Sequence, residues 1–254
     1  MGGKEYGGTT IVTGVVCRTA PIAPRSAEVP RQRPSAARPF GRGRVDEAPF
    51  RPTIYSRRMQ PVRGNLAGGA LVPAVTWFIE RNGNAAASAV VSELPSQFRP
   101  LVTPHAPALG LLTARAYPYP FVGALVDTMT KVVRAKDADV FIEGLTRAGI
   151  DASLGMVMSV VLRYGVSPRG FARRAQELWD KFHDSGLVTI LTNEENGYVA
   201  QVSHWPAHHA AVCKMSLYGR KRIVERTGAR DVVAVREKCQ AWGHDVCVAR
   251  LRWR

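Results

Sequence analysis

The chain has 254 residues, a formal net charge of +15 and 46% apolar residues. That is enough to fill one good core or two small ones. Its four cysteines are too few for a secreted disulfide scaffold. No apolar run reaches membrane-spanning length before Gly, Pro or charge breaks it, and no signal peptide is evident, so a cytoplasmic protein with reduced thiols is expected.

The charge is unevenly spread. Residues 1–63 hold twelve Lys and Arg against four Asp and Glu, a net of +8, in a stretch dominated by Pro, Arg, Gly, Ser and Ala. Few large apolar residues recur there, so little offsets the entropy of ordering the chain. Residues 1–60 read as a disordered basic tail and residues 61–254 as a single domain. A basic arm suits nucleic acid or an anionic membrane; a solvated tail is the simpler reading. Met59, just ahead of the ordered pattern, is a candidate start of translation.

Leu66 to Arg81 reads as a helix, with Leu71, Val75, Phe78 and Ile79 at helical spacing and Pro73 near a kink or start. Asn84 to Leu94 reads as a short second helix, and Pro95, Pro100, Pro104 and Pro107 mark a loop. An amphipathic helix follows, with Phe121, Leu125 and Met129 on one face. Asp137 caps another through Val140, Phe141 and Leu145. Leu154 to Tyr164 is apolar nearly all round, which predicts a central buried helix. Ser167 and Pro168 start a further helix with Phe171, Ala175, Leu178, Trp179 and Phe182 on one face, and Ser185–Gly186 ends it.

The period then changes from helix to strand. Leu187–Thr192 and Tyr198–Ser203 read as a hairpin, Pro206–Arg226 as a helix stopped by Gly228, and Asp231–Arg254 as a closing hairpin turned at Gly243. In its last strand Cys247, Ala249, Leu251 and Trp253 alternate with Val248, Arg250, Arg252 and Arg254. The fold class is α+β: an N-terminal helical half packed on a four-stranded antiparallel sheet, with β-β-α-β-β at the C-terminus.

Following the chain direction through β-β-α-β-β brings Cys213, early in the helix, towards Cys239 and Cys247 at the turn end of the last hairpin. Three converging thiols suit Zn²⁺, which takes tetrahedral sulfur and nitrogen ligands. Two residues are candidates for a fourth ligand: His209, one helical turn before Cys213, and Glu237, two before Cys239 on the same strand face. On spacing alone the cysteines equally read as small buried hydrophobes.

The series Cys213, Cys239, Gly243–His244 and Cys247, ending in an alternating strand with Trp253, resembles the 4-vinyl reductase domain. That module senses small ligands, for example in bacterial phenol-responsive transcription activators. The wider stretch from Val62 through Leu178–Gly186 to the end looks like an uncharacterised myxobacterial relative of it. The resemblance implies zinc held by three cysteines and a glutamate beside a pocket for an aromatic ligand. Cys213, Cys239 and Cys247 match; the glutamate position, three before the second cysteine, is Arg236 here, with Glu237 beside it. The same fold group includes haem nitric-oxide sensors and Golgi-transport subunits. The Tyr-x-Ser-x-Arg signature of the haem sensors is not in the sequence, so no haem is expected.

Met156, Val160, Phe171, Trp179, Phe182 and Leu217 are candidates to line an apolar pocket, and such stripes also read as plain core. The Arg220–Lys221–Arg222 run reads as a solvated helix face, and His183 as a charge suited to a helix C-terminus. No catalytic triad, phosphate loop or paired carboxylates emerge from the spacing. The reading is a non-enzymatic sensor for a small apolar molecule, braced by zinc, passing its signal to a homodimer mate or a partner protein. Its alternatives are a tetrapyrrole vinyl-group reductase or accessory protein, and a scaffold whose basic tail contacts nucleic acid or membrane.

Overall fold

A computed structural model of the chain describes residues 64–254 apart from 207, and for residues 156–165 the backbone course only. The reading of residues 1–60 as a disordered tail therefore lies outside the described residues. Helix α1 (Gly68–Glu93) joins the two helices expected before residue 95, with a break in helical geometry at Gly83 (φ 80°, ψ 171°), a left-handed φ that glycine adopts without strain. Strands β1 (Asn65–Ala67) and β2 (Ala116–Pro118) pair antiparallel ahead of α1 and of α2 (Tyr119–Val132). Helix α3 runs Ala138–Gly165 with its own break at Gly155, and Asp137 caps it by accepting from the N–H groups of Asp139 and Val140. Short helices α4 (Pro168–Arg173) and α5 (Ala175–Trp179) divide the single helix expected there.

The C-terminal half is the expected four-stranded antiparallel sheet. It is built from β3 (Leu187–Glu194), β4 (Gly197–Ser203), β5 (Val233–Lys238) and β6 (Cys247–Arg252), in the order β3-β4-β6-β5. The last strand thus enters the middle, and Val202 of β4 stands opposite Cys247. Helix α6 (Ala210–Arg226) lies between this sheet and α3. Its strand-facing side buries Cys213, Leu217 and Val224, and one buried core runs continuously through both halves.

Two features fix how the helices meet. Pro73 has no N–H to give the carbonyl of Gly69, and Ser153 Oγ of α3 donates to that carbonyl instead, at 2.6 Å; a proline inside a helix otherwise leaves such an acceptor unpaired. Second, the ionic face of α6 is spent on α3. Arg222 forms a two-pronged pair with Asp151 at 2.7 Å on each prong, Arg226 reaches the same carboxylate, and Lys221 bonds Glu143 at 2.6 Å. The solvated face expected for residues 220–222 is therefore corrected. Burial alone would raise the Asp151 carboxyl, but the bonds from Arg222 and Arg226 outweigh it and hold the group below the ordinary carboxylate range.

Helix α2 meets the start of α6 at Gly123, where a Cβ would stand 2.1 Å from Cγ of His209. Gly123→Ala is expected to lower stability by about 1–3 kcal/mol, since a packed ring has to move. Thermal melting checks this, and restoration by a second substitution, His209→Ala, would tie the loss to that contact.

Candidate functional site

Cys213 stands on the first turn of α6, Cys239 just past β5 and Cys247 at the start of β6. All three are buried and none is in a disulfide. The Sγ of Cys213 lies 3.6 Å from that of Cys239 and 3.5 Å from that of Cys247, and Nε2 of His208 lies 3.6 Å from Cys239 Sγ. The four possible ligand atoms all fall within 4.8 Å of one another. A tetrahedral zinc with sulfur at 2.3 Å has ligand–ligand edges of about 3.8 Å, so the cluster is close to the size that the ion sets. The Cys213 thiol, by its bond to Cys247, holds the Cys247 thiol below the ordinary thiol range, with His208 and the Gln240 N–H adding to the effect against the cost of burial. The same bond, with burial, pushes Cys213 up.

Neither expected fourth ligand joins this group. Glu237 sits at a β-bulge: the pairing of β5 with β6 slips between Arg236 and Lys238. An inserted residue reverses the alternation of faces. The bulge therefore turns Cys239 inward with Ala234 and Arg236 and leaves Glu237 exposed, bonded to Arg250 at 2.5 Å. Arg236 donates instead to the Cys213 carbonyl. His209 is the N-cap of α6, accepting from the Ala211 N–H at 3.2 Å. The helix starts at Ala210 rather than Pro206, so His208 lies ahead of it, outside helical geometry, and His208, not His209, reaches the thiols.

Behind the cluster lies a cavity of about 80 Å³. Its walls come from α3 (Thr146, Ile150), from the stretch Phe171–His183 and from α6 (Met215, Ser216, Gly219, Arg220, Ile223). Phe171, Trp179 and Phe182 line it as expected. Leu217 does not: it is buried on the sheet side of α6, about 100° round the helix from Ser216. The side chains of Met156 and Val160 lie outside the described residues. The cavity thus sits between helices rather than between helices and sheet.

Two polar residues on its wall, His183 and Arg220, were not among the expected pocket residues. His183 stacks on Trp179 with ring centroids 3.7 Å apart, and its Nδ1 lies 3.0 Å from the Tyr119 hydroxyl. Burial, with Arg220 nearby, pushes the imidazole down to about 3, so it is neutral at pH 7 and not the charged helix-end group expected. Burial likewise raises the Tyr119 hydroxyl to about 12. Arg220 is 9% exposed; its guanidinium lies over the Trp179 ring at 5.5 Å, and among the described residues both terminal nitrogens lack a hydrogen-bond partner. Its signal was present in the helical period: position 220 follows Cys213 by seven residues, on a buried stripe.

The class defined by this geometry is an α+β fold with a cavity between helices and a cluster of three buried thiols and a half-buried imidazole. Neither a family model nor a curated protein matches the sequence. Solved structures do match in fold. An H-NOX protein of K. algicida, a mutant in the Fe(II) unliganded state, has a TM-score of 0.55 at 9% identity, over 74% of this chain and 97% of its own. An H-NOX protein of S. oneidensis in the Fe(II)NO state has a TM-score of 0.53 at 11% identity, over 74% and 99%. An H-NOX domain of Shewanella oneidensis in the Fe(II)CO state gives 0.53 at 8%, over 76% and 98%. At such identities the likeness establishes the fold, which is the fold group expected.

It also corrects the expectation of no haem, because these neighbours are haem-sensor domains; a missing five-position signature does not decide what a fold can hold. In this chain a neutral buried imidazole, His183, and an unpaired cation, Arg220, are suitable in kind for iron and for a propionate. A cavity of about 80 Å³ is far smaller than a porphyrin ring, however, and drug-sized ligands already need roughly 300–1,000 Å³. The residues present do not fit the group in this conformation, and nothing below is derived through it.

His183 makes stability depend on pH. Its folded value lies below the ordinary 6.5, so between pH 6.5 and 3 the unfolded chain binds the extra proton. Its contribution is complete above pH 6.5 and is lost on acidification, by about 1.4 kcal/mol per pH unit. Urea unfolding between pH 5 and 6.5, with zinc held saturating, is expected to show this slope in the wild type and a flatter one in His183→Gln.

Proposed function

We propose that residues 61–254 form a non-enzymatic small-molecule sensor or binding module, related to the 4-vinyl reductase-type domain, in which the cavity between α3, α5 and α6 receives the ligand. The observation that carries this reading is the cavity itself, apolar on most of its wall in a fold whose solved neighbours include NO- and CO-bound sensors. No nucleotide-binding fingerprint or hydride-donor site supports the reductase alternative.

Zinc on Cys213, Cys239, Cys247 and His208 is the proposed brace at the end of the module. Three thiolates and one Zn²⁺ leave a single negative charge, and Arg236 stands beside it, bonded to the Cys213 carbonyl. His208 takes the place that a glutamate holds in the resembled family, since the position facing the cluster from β5 is Arg236. A chain of rings links brace and cavity: Trp179 on the cavity wall meets Trp205 edge-on at 5.0 Å, and Trp205 meets His208 edge-on at 5.2 Å. A ligand that shifts Trp179 therefore has a packed route to the last hairpin. There the exposed Val233, Val235 and Trp242 offer apolar surface to a partner chain or a second copy.

Protein prepared without chelators is expected to carry one zinc per chain by elemental analysis. With zinc a thousandfold above its Kd the metal adds about 4 kcal/mol, so chelation should lower Tm by roughly 8–16 °C. Cys239→Ser and His208→Ala should lose the ion, while His209→Ala and Glu237→Gln keep it. Metal-free protein whose three thiols all react in the native state would remove the brace. For the cavity, Gly219→Ala is informative, because its Cβ would meet Ile150 Cδ1 no closer than 3.6 Å. It should raise stability by about 0.5–1 kcal/mol and weaken ligand uptake. Native mass spectrometry of the full chain from its own host reads metal, bound molecule and stoichiometry together; a chain that carries no small molecule and admits none would end the sensor reading.

A further inference from the structure

We infer that the cavity is selective for a small monocarboxylate, with the carboxylate paired to Arg220 and a short apolar body against Phe171, Leu178, Phe182 and Ile150. This rests on the reading of the cavity as a ligand site and specifies the ligand's chemistry.

Arg220 is more than nine-tenths buried, lines the cavity, and has neither terminal nitrogen bonded to any group among the described residues. A buried guanidinium keeps its charge, since no accessible pH removes it. Left unpaired, such a charge is strongly destabilising. The Trp179 face at 5.5 Å gives attraction of the cation–π kind, but it accepts no N–H. The groups around the cation offer it no bonded acceptor either. The thiols of Cys213 and Cys247 act on it through charge alone and make no hydrogen bond to its terminal nitrogens, His183 is neutral, Tyr198, also buried and with an unpartnered hydroxyl, is pushed upward by burial, and Arg236 is a like charge.

What is missing is an acceptor with negative charge, and two adjacent terminal nitrogens are the fork that a planar carboxylate matches with both oxygens. The remaining wall decides the rest of the molecule. Phe171, Leu178, Phe182 and Ile150 accept hydrocarbon, and about 80 Å³ is the bulk-liquid share of about three water molecules, which limits the body to a few carbons. A neutral hydrocarbon would fill that space and leave the cation bare; a polyanion would leave charge of its own unpaired among apolar side chains.

The test uses the full zinc-loaded chain, with acetate, propionate and butyrate as probes and butyramide and 1-propanol as neutral counterparts, read by calorimetry and by Trp fluorescence. Propionate or butyrate is expected to bind at least roughly tenfold tighter than its neutral counterpart. In Arg220→Met the preference should reverse, with the neutral molecules bound and the acids lost. The ligand-free variant should melt no lower than the wild type, because an apolar side chain replaces an unpaired charge; a guanidinium serving the fold alone would give a lower Tm and an unchanged order of ligands. A neutral counterpart binding tighter than the acids, or Arg220→Met retaining butyrate, overturns the carboxylate assignment and leaves the cavity a ligand site. Chloride alone stabilising the protein as much as any carboxylate overturns it in favour of an inorganic counter-ion. No binding by any probe, acid or neutral, overturns both this assignment and the sensor reading.

Discussion

Helix α6 carries Lys214, Arg220, Lys221, Arg222, Glu225 and Arg226, yet lies between α3 on one side and the sheet on the other. A helix buried on two faces has to dispose of its charges one by one, and the rest of the molecule is arranged around how it does so. Lys221, Arg222 and Arg226 are matched by Glu143 and Asp151 on α3. Partly buried pairs of this kind hold register between helices more than they add net stability. Arg220 points where no acid follows it, and there the packing leaves a cavity.

Two turns earlier on the same helix, Cys213 lies at the end of the sheet, in reach of Cys239 and Cys247. Insertion of β6 between β4 and β5 places Cys247 beside it, and the bulge in β5 delivers Cys239. Cavity and thiol cluster thus share one rigid element, and Trp205, set edge-on between Trp179 and His208, joins them a second time. The cavity wall and the C-terminal hairpin are thereby in packed connection.

Much of this could be read from residue order because it depends on neighbours along the chain. The Asp137 and Ser167 caps act within three residues, the strand alternation from Cys247 to Trp253 is a period of two, and the turn glycines sit where φ is positive. The convergence of three cysteines followed from counting strand directions, and the α+β class from the change of period near Leu187. The single helix expected over residues 168–184 failed at Arg174, where the backbone leaves helical geometry although the apolar stripe continues.

What the sequence determined by itself was the set of amphipathic segments, the sheet they end in and the thiols that meet beneath it. Tertiary structure alone decided which side chains complete the sites. One inserted residue in β5 exchanged Glu237 for Arg236 at the cluster, and a helix beginning four residues late exchanged His209 for His208. Packing on both faces of α6 turned a run of three cations into two ion pairs and one buried, unpaired guanidinium. Each outcome depends on a register or on a facing surface many residues away, and a local pattern holds no record of either.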